Sequence, residues 1–227
     1  MAVAAEVRSR VEALMRTLNV SGIAPGFLDR IAKFAETLAI WGARTNLTAH
    51  PSDPAEIAFH IVDSLMPIAL DSEPDAYPLR AIFDRARRVL DVGSGAGFPG
   101  LILASALAAR FALVESRRKR ASFLRTASAE MGLSNVTVEQ RHLSPADLRA
   151  DFDIAITRAL GPPADFYSIA ATALVKGGAA ILYANPTQRL DLPAARSFGL
   201  GAEARVPYEV RRGQAVVSRI LALWRKL

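Results

Sequence analysis

The stretch Arg88-Val-Leu-Asp-Val-Gly-Ser-Gly-Ala-Gly-Phe-Pro-Gly100 decides the fold. Its apolar beginning is typical of a buried parallel strand. Glycines follow at positions 93, 95 and 97, and because they lack Cβ atoms the backbone can turn tightly and lie against a ligand. Pro99 stands where the first turn of a helix would begin, a position whose amide needs no intrahelical partner. A strand, a glycine turn and an exposed helix N-terminus predict a nucleotide-binding corner.

Two cofactors are compatible with this corner. The spacing Gly95-x-Gly97-x-x-Gly100 satisfies the dinucleotide fingerprint. Counted from Asp91, the pattern is acidic-apolar-Gly-x-Gly-x-Gly, which is typical of S-adenosylmethionine-dependent methyltransferases. Asp91 favours the methyl donor, because a carboxylate at the strand end can face the ammonium of a methionine moiety, directly or through water, and would repel an anionic pyrophosphate. A purely structural glycine turn is the third alternative.

Composition limits the class of protein. The 227 residues are enough for one α/β domain with an appendage, and 51% of them are hydrophobic. The net charge of +6 suits a polyanionic partner, although a merely soluble surface is the alternative. The chain has no cysteine and three histidines, so we expect no disulfide, no metal site and no cysteine nucleophile. No apolar run reaches the roughly 18 residues of a membrane span, and we expect a cytoplasmic monomer that does not bind membranes.

The periodicity along the chain predicts two parts. Three amphipathic helices, over 3–19, from about Phe27, and over 55–70, form an N-terminal helical extension at 1–74. An acidic, proline-containing linker at 71–78 leads into a methyltransferase domain at 75–227. After the strand at 88–92, strands are predicted over 111–115, 136–140, 152–157 and 179–183, with helices between them and two further strands over 204–210 and 214–223. This order predicts a doubly wound sheet, mostly parallel with an antiparallel strand near the C-terminus. Together with the loop pattern counted from Asp91, it predicts a Rossmann-like class I methyltransferase fold.

Two features after the glycine loop are candidates for binding. Glu115 ends the second strand, eighteen residues after Gly97, where an acid can hold both ribose hydroxyls of either cofactor. The helix that follows begins with the basic run Arg117–Arg120. A solvated helix face is the usual role of such a run, but its position beside the predicted donor pocket favours contacts with RNA phosphates.

Five motifs in register resemble one family, that of ribosomal RNA small subunit methyltransferase G, also called glucose-inhibited division protein B. They are Trp41-x4-Asn46-Leu47-Thr48, His60-x-x-Asp63-Ser64, the loop Asp91 to Gly100, Lys119-Arg120-x-x-Phe123-Leu124, and Phe152-Asp153-x5-Arg158-Ala159. The resemblance covers most of the chain. It implies transfer of a methyl group from S-adenosylmethionine to N7 of a guanine in 16S ribosomal RNA, with the free RNA or the small ribosomal subunit as partner.

The resemblance also assigns roles to residues. The set predicted to bind the cofactor, from the loop pattern and the resemblance together, is Asp91, Gly93, Ser94, Gly95, Gly97, Phe98, Glu115, His142, Leu143 and Arg158. Arg158 ends the fourth strand, where ligands bind in such sheets, and we expect it to orient the cofactor or the guanine. An ion pair at the strand end is its structural alternative.

The residues predicted to contact RNA are Asn46, His60, Asp63, Arg117, Arg118 and Lys119. For Asn46 a role in capping the loop is an equal alternative. His60 and Asp63 share one helical face, and a structural hydrogen bond that pins the N-terminal helices to the catalytic domain is an equal alternative for them.

Three positions depart from the family pattern. Phe59 stands where members usually have arginine, Leu143 where they have an acid, and Ala184 or Asn185 where they have lysine. The changes at 59 and 184 remove cations and bear on how RNA is held. They leave open a different RNA or a small-molecule substrate, or a non-catalytic RNA-binding relative. A nicotinamide-dependent oxidoreductase is a further alternative.

Overall fold

The computed structural model describes residues 2–70, 78–158, 161–190 and 192–227. Their centre is a sheet of seven strands in the order β3-β2-β1-β4-β5-β7-β6. The first five strands are parallel to one another, whereas β7 is antiparallel to both β5 and β6. The strands are β1 (Arg88–Val92), β2 (Arg110–Val114), β3 (Val136–Glu139), β4 (Phe152–Arg158), β5 (Leu174–Ala184), β6 (Leu200–Arg212) and β7 (Ala215–Lys226). The predicted doubly wound, mostly parallel sheet is confirmed.

Eight helices in the described ranges accompany the sheet. They are α1 (Ala2–Thr17), α2 (Phe27–Gly42), α3 (Pro54–Ala69), α4 (Leu79–Arg85), α5 (Gly100–Ala106), α6 (Arg118–Glu130), α7 (Pro163–Ala173) and α8 (Leu192–Ser197). The three predicted N-terminal helices correspond to α1, α2 and α3. The predicted boundary between residues 74 and 75, and the linker except Pro78, lie outside the described residues, so the division into two domains stays a prediction.

The unit β1–loop–α5 forms because one strand is buried on both sides and the helix packs directly against it. Val89, Leu90 and Val92 are buried, as a central parallel strand requires. Helix α5 approaches β1 so closely at Gly100 that a Cβ there would lie 2.3 Å from Asp91 Oδ2. The glycine loop is thereby fixed at the carboxyl edge of the sheet, where ligands bind in such folds.

The N-terminal helices pack beside this loop. The Phe34 ring of α2 meets the Phe98 ring edge-on, with 5.3 Å between their centroids. Arg30, also of α2, donates to the carbonyl of Ser105 at the end of α5, at 2.8 Å from Nη2. Apolar burial and a capping hydrogen bond together fix the helical extension against the cofactor corner.

The C-terminal hairpin brings distant residues to the same edge. Strands β6 and β7 pair over most of their length, with Tyr208 opposite Arg219. The Tyr208 side chain reaches α3, where its hydroxyl donates to Asp63 Oδ1 at 2.8 Å. One wall of the site is therefore built from the last strands of the chain.

Strand β5 begins five residues earlier than the sequence pattern predicts. Leu174 pairs with Phe152 and Ala179 with Ile154, so four residues of β5 are accommodated where β4 has one. Lys176, Gly177 and Gly178 lie in this irregular part of the strand, although two consecutive glycines are also typical of a helix end. The bulge also explains why the apolar pattern only becomes regular at Ala179.

Candidate functional site

The glycine loop turns back onto the second strand. The amide N–H groups of Gly93 and Ser94 both donate to the carbonyl of Val114, at 2.9 and 3.1 Å. Gly93, Gly95 and Gly97 have φ values of 73°, 55° and 86°, a region that side chains with a Cβ rarely adopt. A Cβ on Gly95 would meet nothing closer than 3.8 Å, so the glycine leaves open space above the loop. The backbone can therefore lie against a ligand there.

Asp91 is buried beneath this loop. Its Oδ2 accepts the Gly100 N–H at 3.1 Å, while Oδ1 has no partner among the described residues. Burial raises the pKa of the Asp91 carboxyl to about 7, because a charge is costly away from water. Two cavities open at this edge of the sheet, and Asp91 is not among the described residues that line either of them. Its contact with a donor ammonium stays a prediction.

Glu115 connects the loop to helix α6. Its Oε2 accepts the Gly95 N–H at 3.0 Å, and its Oε1 accepts the Arg117 N–H at 2.8 Å. Glu115 as a whole is 5% exposed. Each oxygen keeps acceptor capacity beyond the one amide bond, so the predicted ribose contact stays compatible with this geometry.

A first cavity of about 500 Å³ opens on one side of the loop. Gly93, Val114 and Ser116 line it from the first two strands, and Ile169 from α7. His142 and Leu143, both predicted to bind the cofactor, complete its wall. Leu143 is buried at 7% exposure, so an apolar side chain faces the cavity where the family usually has an acid.

A second cavity of about 420 Å³ opens on the other side. His60, Phe98, Arg158 and Arg219 are among its lining residues, and Gly93 lines both cavities. The two cavities therefore adjoin at the glycine loop. One ligand can therefore bind on each side of Gly93.

Arg158 is held from two sides in the second cavity. Its Nη1 donates to Asp63 Oδ2 at 2.9 Å, and its guanidinium lies 5.0 Å from the centroid of the Phe98 ring. Asp63 is 1% exposed, and its other oxygen accepts from Tyr208. Asp63 thus makes the structural hydrogen bonds that were the alternative to an RNA contact, and it joins α3 to β4 and β6. An RNA contact of Asp63 stays a prediction.

His60 is an uncharged ring in this environment. Its centroid lies 5.1 Å from those of Phe59 and Phe98. Burial, followed by the positive charge of Arg158, lowers the pKa of His60 to about 3. At neutral pH the ring therefore offers stacking and hydrogen bonding but no charge to a ligand.

The other predicted RNA contacts lie at the rim. Arg117, Arg118 and Lys119 are exposed at the start of α6, directly after Ser116 of the first cavity. Asn46 is exposed, and its carbonyl accepts from Arg120 at 3.0 Å. This bond ties the loop before α3 to α6 across the second cavity.

Among the residues that the structure brings to the second cavity or behind it, Tyr208 and Arg219 were not predicted from the sequence, and Arg120 was predicted only as part of the basic run. The sequence contained a pattern from which Arg219 could have been predicted as a site residue. The alternating apolar residues Val217, Leu221 and Leu223 of β7 are interrupted by this arginine. A charge on the core-facing side of a strand indicates a buried partner or a ligand.

Comparison with known proteins identifies the family. A sequence model described as rRNA small subunit methyltransferase G matches residues 28–197. The ribosomal RNA small subunit methyltransferase G of Acidiphilium cryptum is 33% identical over 222 residues, which is 95% of this chain and 91% of the relative. The enzyme of that name from Methylococcus capsulatus is 35% identical over 184 residues, 79% of this chain and 82% of the relative. The chain belongs to the ribosomal RNA small subunit methyltransferase G family.

Solved structures show the same fold. A tRNA methyltransferase of Aquifex aeolicus superposes with a TM-score of 0.54 at 15% identity, covering 74% of this chain and 68% of the other. A predicted O-methyltransferase of Agrobacterium tumefaciens gives 0.55 at 21% identity, covering 73% and 81%. The family and fold predicted from the motifs, and with them a methyltransferase that uses S-adenosylmethionine, are confirmed.

Two further findings concern metal and membrane. Among the described residues no group of three or more histidine and acidic side chains is placed to hold a metal ion. Likewise, none of the helices in the described ranges is long and apolar enough to cross a membrane.

Proposed function

We propose that this member of the ribosomal RNA small subunit methyltransferase G family transfers a methyl group from S-adenosylmethionine to N7 of a guanine in 16S ribosomal RNA, acting in the cytoplasm as a monomer. The observation that carries the proposal is the pair of cavities that adjoin at Gly93. One is suited to a nucleoside and the other has a cationic wall.

The residues present fit the donor. The first cavity offers the apolar surfaces of Val114, Leu143 and Ile169 to an adenine ring. Glu115 stands in sequence between Val114 and Ser116, which both line this cavity, and it has acceptor capacity for ribose hydroxyls. The positive φ values at Gly93 and Gly95 keep the loop backbone free of Cβ atoms. Of the other predicted donor residues, His142 lines the first cavity, whereas Ser94 and Phe98 line the second cavity on the other side of the loop.

The second cavity suits a nucleotide of RNA. Three arginines line it, and among the described lining residues Asp63 is the one acid. Because His60 is neutral, the excess positive charge belongs to the arginines, which are the residues best suited to phosphate. Phe98 and His60 offer ring faces on which a guanine can stack.

The reaction needs positioning rather than proton transfer. Guanine N7 carries a free lone pair at neutral pH, so no general base is required. The donor supplies a methyl group on a positively charged sulfur. As N7 attacks in line, the new N7–carbon bond forms, the sulfur–carbon bond breaks with its electron pair remaining on sulfur, and the positive charge passes to the guanine ring. Arg158, fixed by Asp63 and Phe98, would orient the reactants.

The proposal is tested by following labelled methyl transfer from S-adenosylmethionine to 30S subunits and to 16S ribosomal RNA from a strain lacking the family enzyme. We expect a single modified guanine, mapped by chain cleavage specific for N7-methylguanosine. Donor binding without transfer to either substrate would contradict the proposed target and favour another RNA or a small molecule. Absence of donor binding would favour a non-catalytic relative.

A further inference from the structure

The second cavity contains a cation that neither the motifs nor the donor requires. Arg219 of β7 lines this cavity with 30% of its side chain exposed. Its nearest carboxylate oxygen is Asp63 Oδ1, at 4.0 Å from Nε, which is too long for a hydrogen bond. Within the described part of the chain, no hydrogen bond from its guanidinium is found. The donors of Arg219 are therefore available to a ligand.

Packing holds Arg219 in place without using those donors. Its guanidinium lies 5.7 Å from the centroid of the Phe59 ring, within the range of a cation–π contact. The Arg212 guanidinium lies at the same distance from that ring but is paired with Glu56. Phe59 is buried at 1% exposure. The aromatic residue that replaces the usual arginine at position 59 thus supports an arginine supplied by the C-terminal hairpin.

Asp63 cannot neutralise both arginines around it. Arg158 takes Oδ2 and Tyr208 takes Oδ1 through their hydrogen bonds. The carboxylate carries one negative charge, so Arg219 contributes an uncompensated positive charge to the cavity. Arg120 adds another at the rim. This excess of charge favours an anionic group of the ligand.

From this geometry we infer that Arg219, supported by Phe59, binds a phosphate of the target nucleotide. The inference rests on the proposed RNA substrate. Methylation at N7 makes the guanine ring cationic, so a guanidinium beside the ring would be repelled, whereas the phosphate keeps its negative charge throughout. The donor carboxylate is the competing anion, and Arg158, which packs on Phe98 of the glycine loop in the same cavity, is the other arginine that could bind it.

The test compares Arg219→Ala, Arg219→Lys and Arg205→Ala. Arg205 is an exposed cation on the same hairpin. It pairs with Ala222 in register, which places its side chain on the opposite face from the Tyr208–Arg219 pair. Binding of each protein to unmodified 30S subunits is measured over a range of salt concentrations. Binding of S-adenosylmethionine is measured by calorimetry, and it also shows that each variant has a folded donor site.

For Arg219→Ala we expect the Kd and KM for the subunit to rise by roughly tenfold or more, as for loss of a charged hydrogen bond. The slope of log affinity against log salt should fall by about 0.7 to 0.9. Donor affinity should stay within twofold, Arg219→Lys should keep part of the affinity and most of the slope, and Arg205→Ala should behave as the native protein.

Three results would overturn the inference. They are a loss of donor affinity with unchanged subunit affinity, an unchanged salt slope, and an equal effect of Arg205→Ala. The binding measurement also separates this inference from the proposed function. If the native protein binds subunits but methylates no guanine N7, the proposed reaction is wrong. The role of Arg219 in binding is then still decided by the salt dependence of subunit affinity in Arg219→Ala.

Discussion

Asp63 is the residue at which the helical extension, the parallel sheet and the C-terminal hairpin meet. It is buried, and its two oxygens accept from Arg158 and Tyr208. Asp63→Asn removes the charge opposite Arg158, and we expect it to lower the free energy of unfolding by about 3–5 kcal/mol, as for a broken buried ion pair. Tyr208→Phe leaves one carboxylate oxygen unsatisfied and should cost about 1–3 kcal/mol. Urea denaturation measures both.

The matched control for Asp63 is Asp84, whose side chain is 50% exposed and pairs with Arg80 on α4. Asp84→Asn should cost less than about 1 kcal/mol, because solvent screens a surface ion pair. Equal losses for the buried and the exposed aspartate would show that the contact between α3 and the sheet does not depend on Asp63.

Asp91 predicts a pH dependence of stability. Its pKa is raised from 3.8 to about 7 in the folded protein, so between these values the folded state holds a proton that the unfolded state has released. The contribution of Asp91 to the free energy of unfolding is therefore greatest below pH 4. It falls by up to about 4 kcal/mol as the pH rises to 7. Asp91→Asn lacks this titration.

We expect the free energy of unfolding of Asp91→Asn to increase relative to that of the native protein from pH 4 to about pH 7, and the difference to level off above that pH. A constant offset from the new amide does not affect this slope, which makes the slope the informative quantity. Parallel stability curves for the two proteins across this range would contradict a buried, protonated Asp91.

At the scale of elements, the close contact of α5 with β1 depends on one glycine. A Cβ on Gly100 would lie 2.3 Å from Asp91 Oδ2 and 2.4 Å from Leu113 Cδ2. We expect Gly100→Ala to push α5 away from the strand, lowering the free energy of unfolding by about 3 kcal/mol and weakening donor binding because the loop moves with the helix. Thermal unfolding and donor calorimetry test this.

Gly161→Ala is the control for Gly100, because its added Cβ would meet nothing closer than 3.7 Å. We expect it to change stability by less than about 1 kcal/mol. If both alanine variants were equally stable, helix α5 would be able to move outward at no cost, contrary to the packing seen here.

Local patterns predicted some elements well and others poorly, for identifiable reasons. The β1–loop–α5 unit was predictable because a buried strand, alternate glycines and a helix-starting proline all lie within thirteen residues. Helices α4 and α8 were missed because seven and six residues are too few to show a helical period. The start of β5 was misplaced because the bulge at Gly177 and Gly178 resembles a helix end.

At the scale of the whole molecule, the site mixes local and distant contributions. Motifs within one segment indicated the loop, Glu115 and the α6 arginines. The contacts of Asp63 with Tyr208 and of Phe59 with Arg219 join residues about 145 and 160 positions apart. Sequence spacing alone carries no information on such pairs, since they depend on how β6 and β7 add to the sheet edge beside α3.

The largest-scale prediction concerns how the whole protein meets RNA. Arg117 and Arg118 are exposed beside the first cavity at the carboxyl edge of the sheet, whereas Arg85 and Arg87 are exposed next to the amino end of β1, at the opposite edge. We expect Arg117→Gln with Arg118→Gln to weaken binding to 30S subunits and to lower the salt slope by about 1 to 2, because up to two phosphate contacts are lost.

The control is Arg85→Gln with Arg87→Gln, which changes the net charge equally. Because these two arginines lie at the opposite edge, the control should leave the slope nearly unchanged. Equal effects of the two pairs would mean that overall charge attracts the RNA, and unchanged binding of the first pair across the salt titration would remove the α6 arginines from the RNA-binding surface.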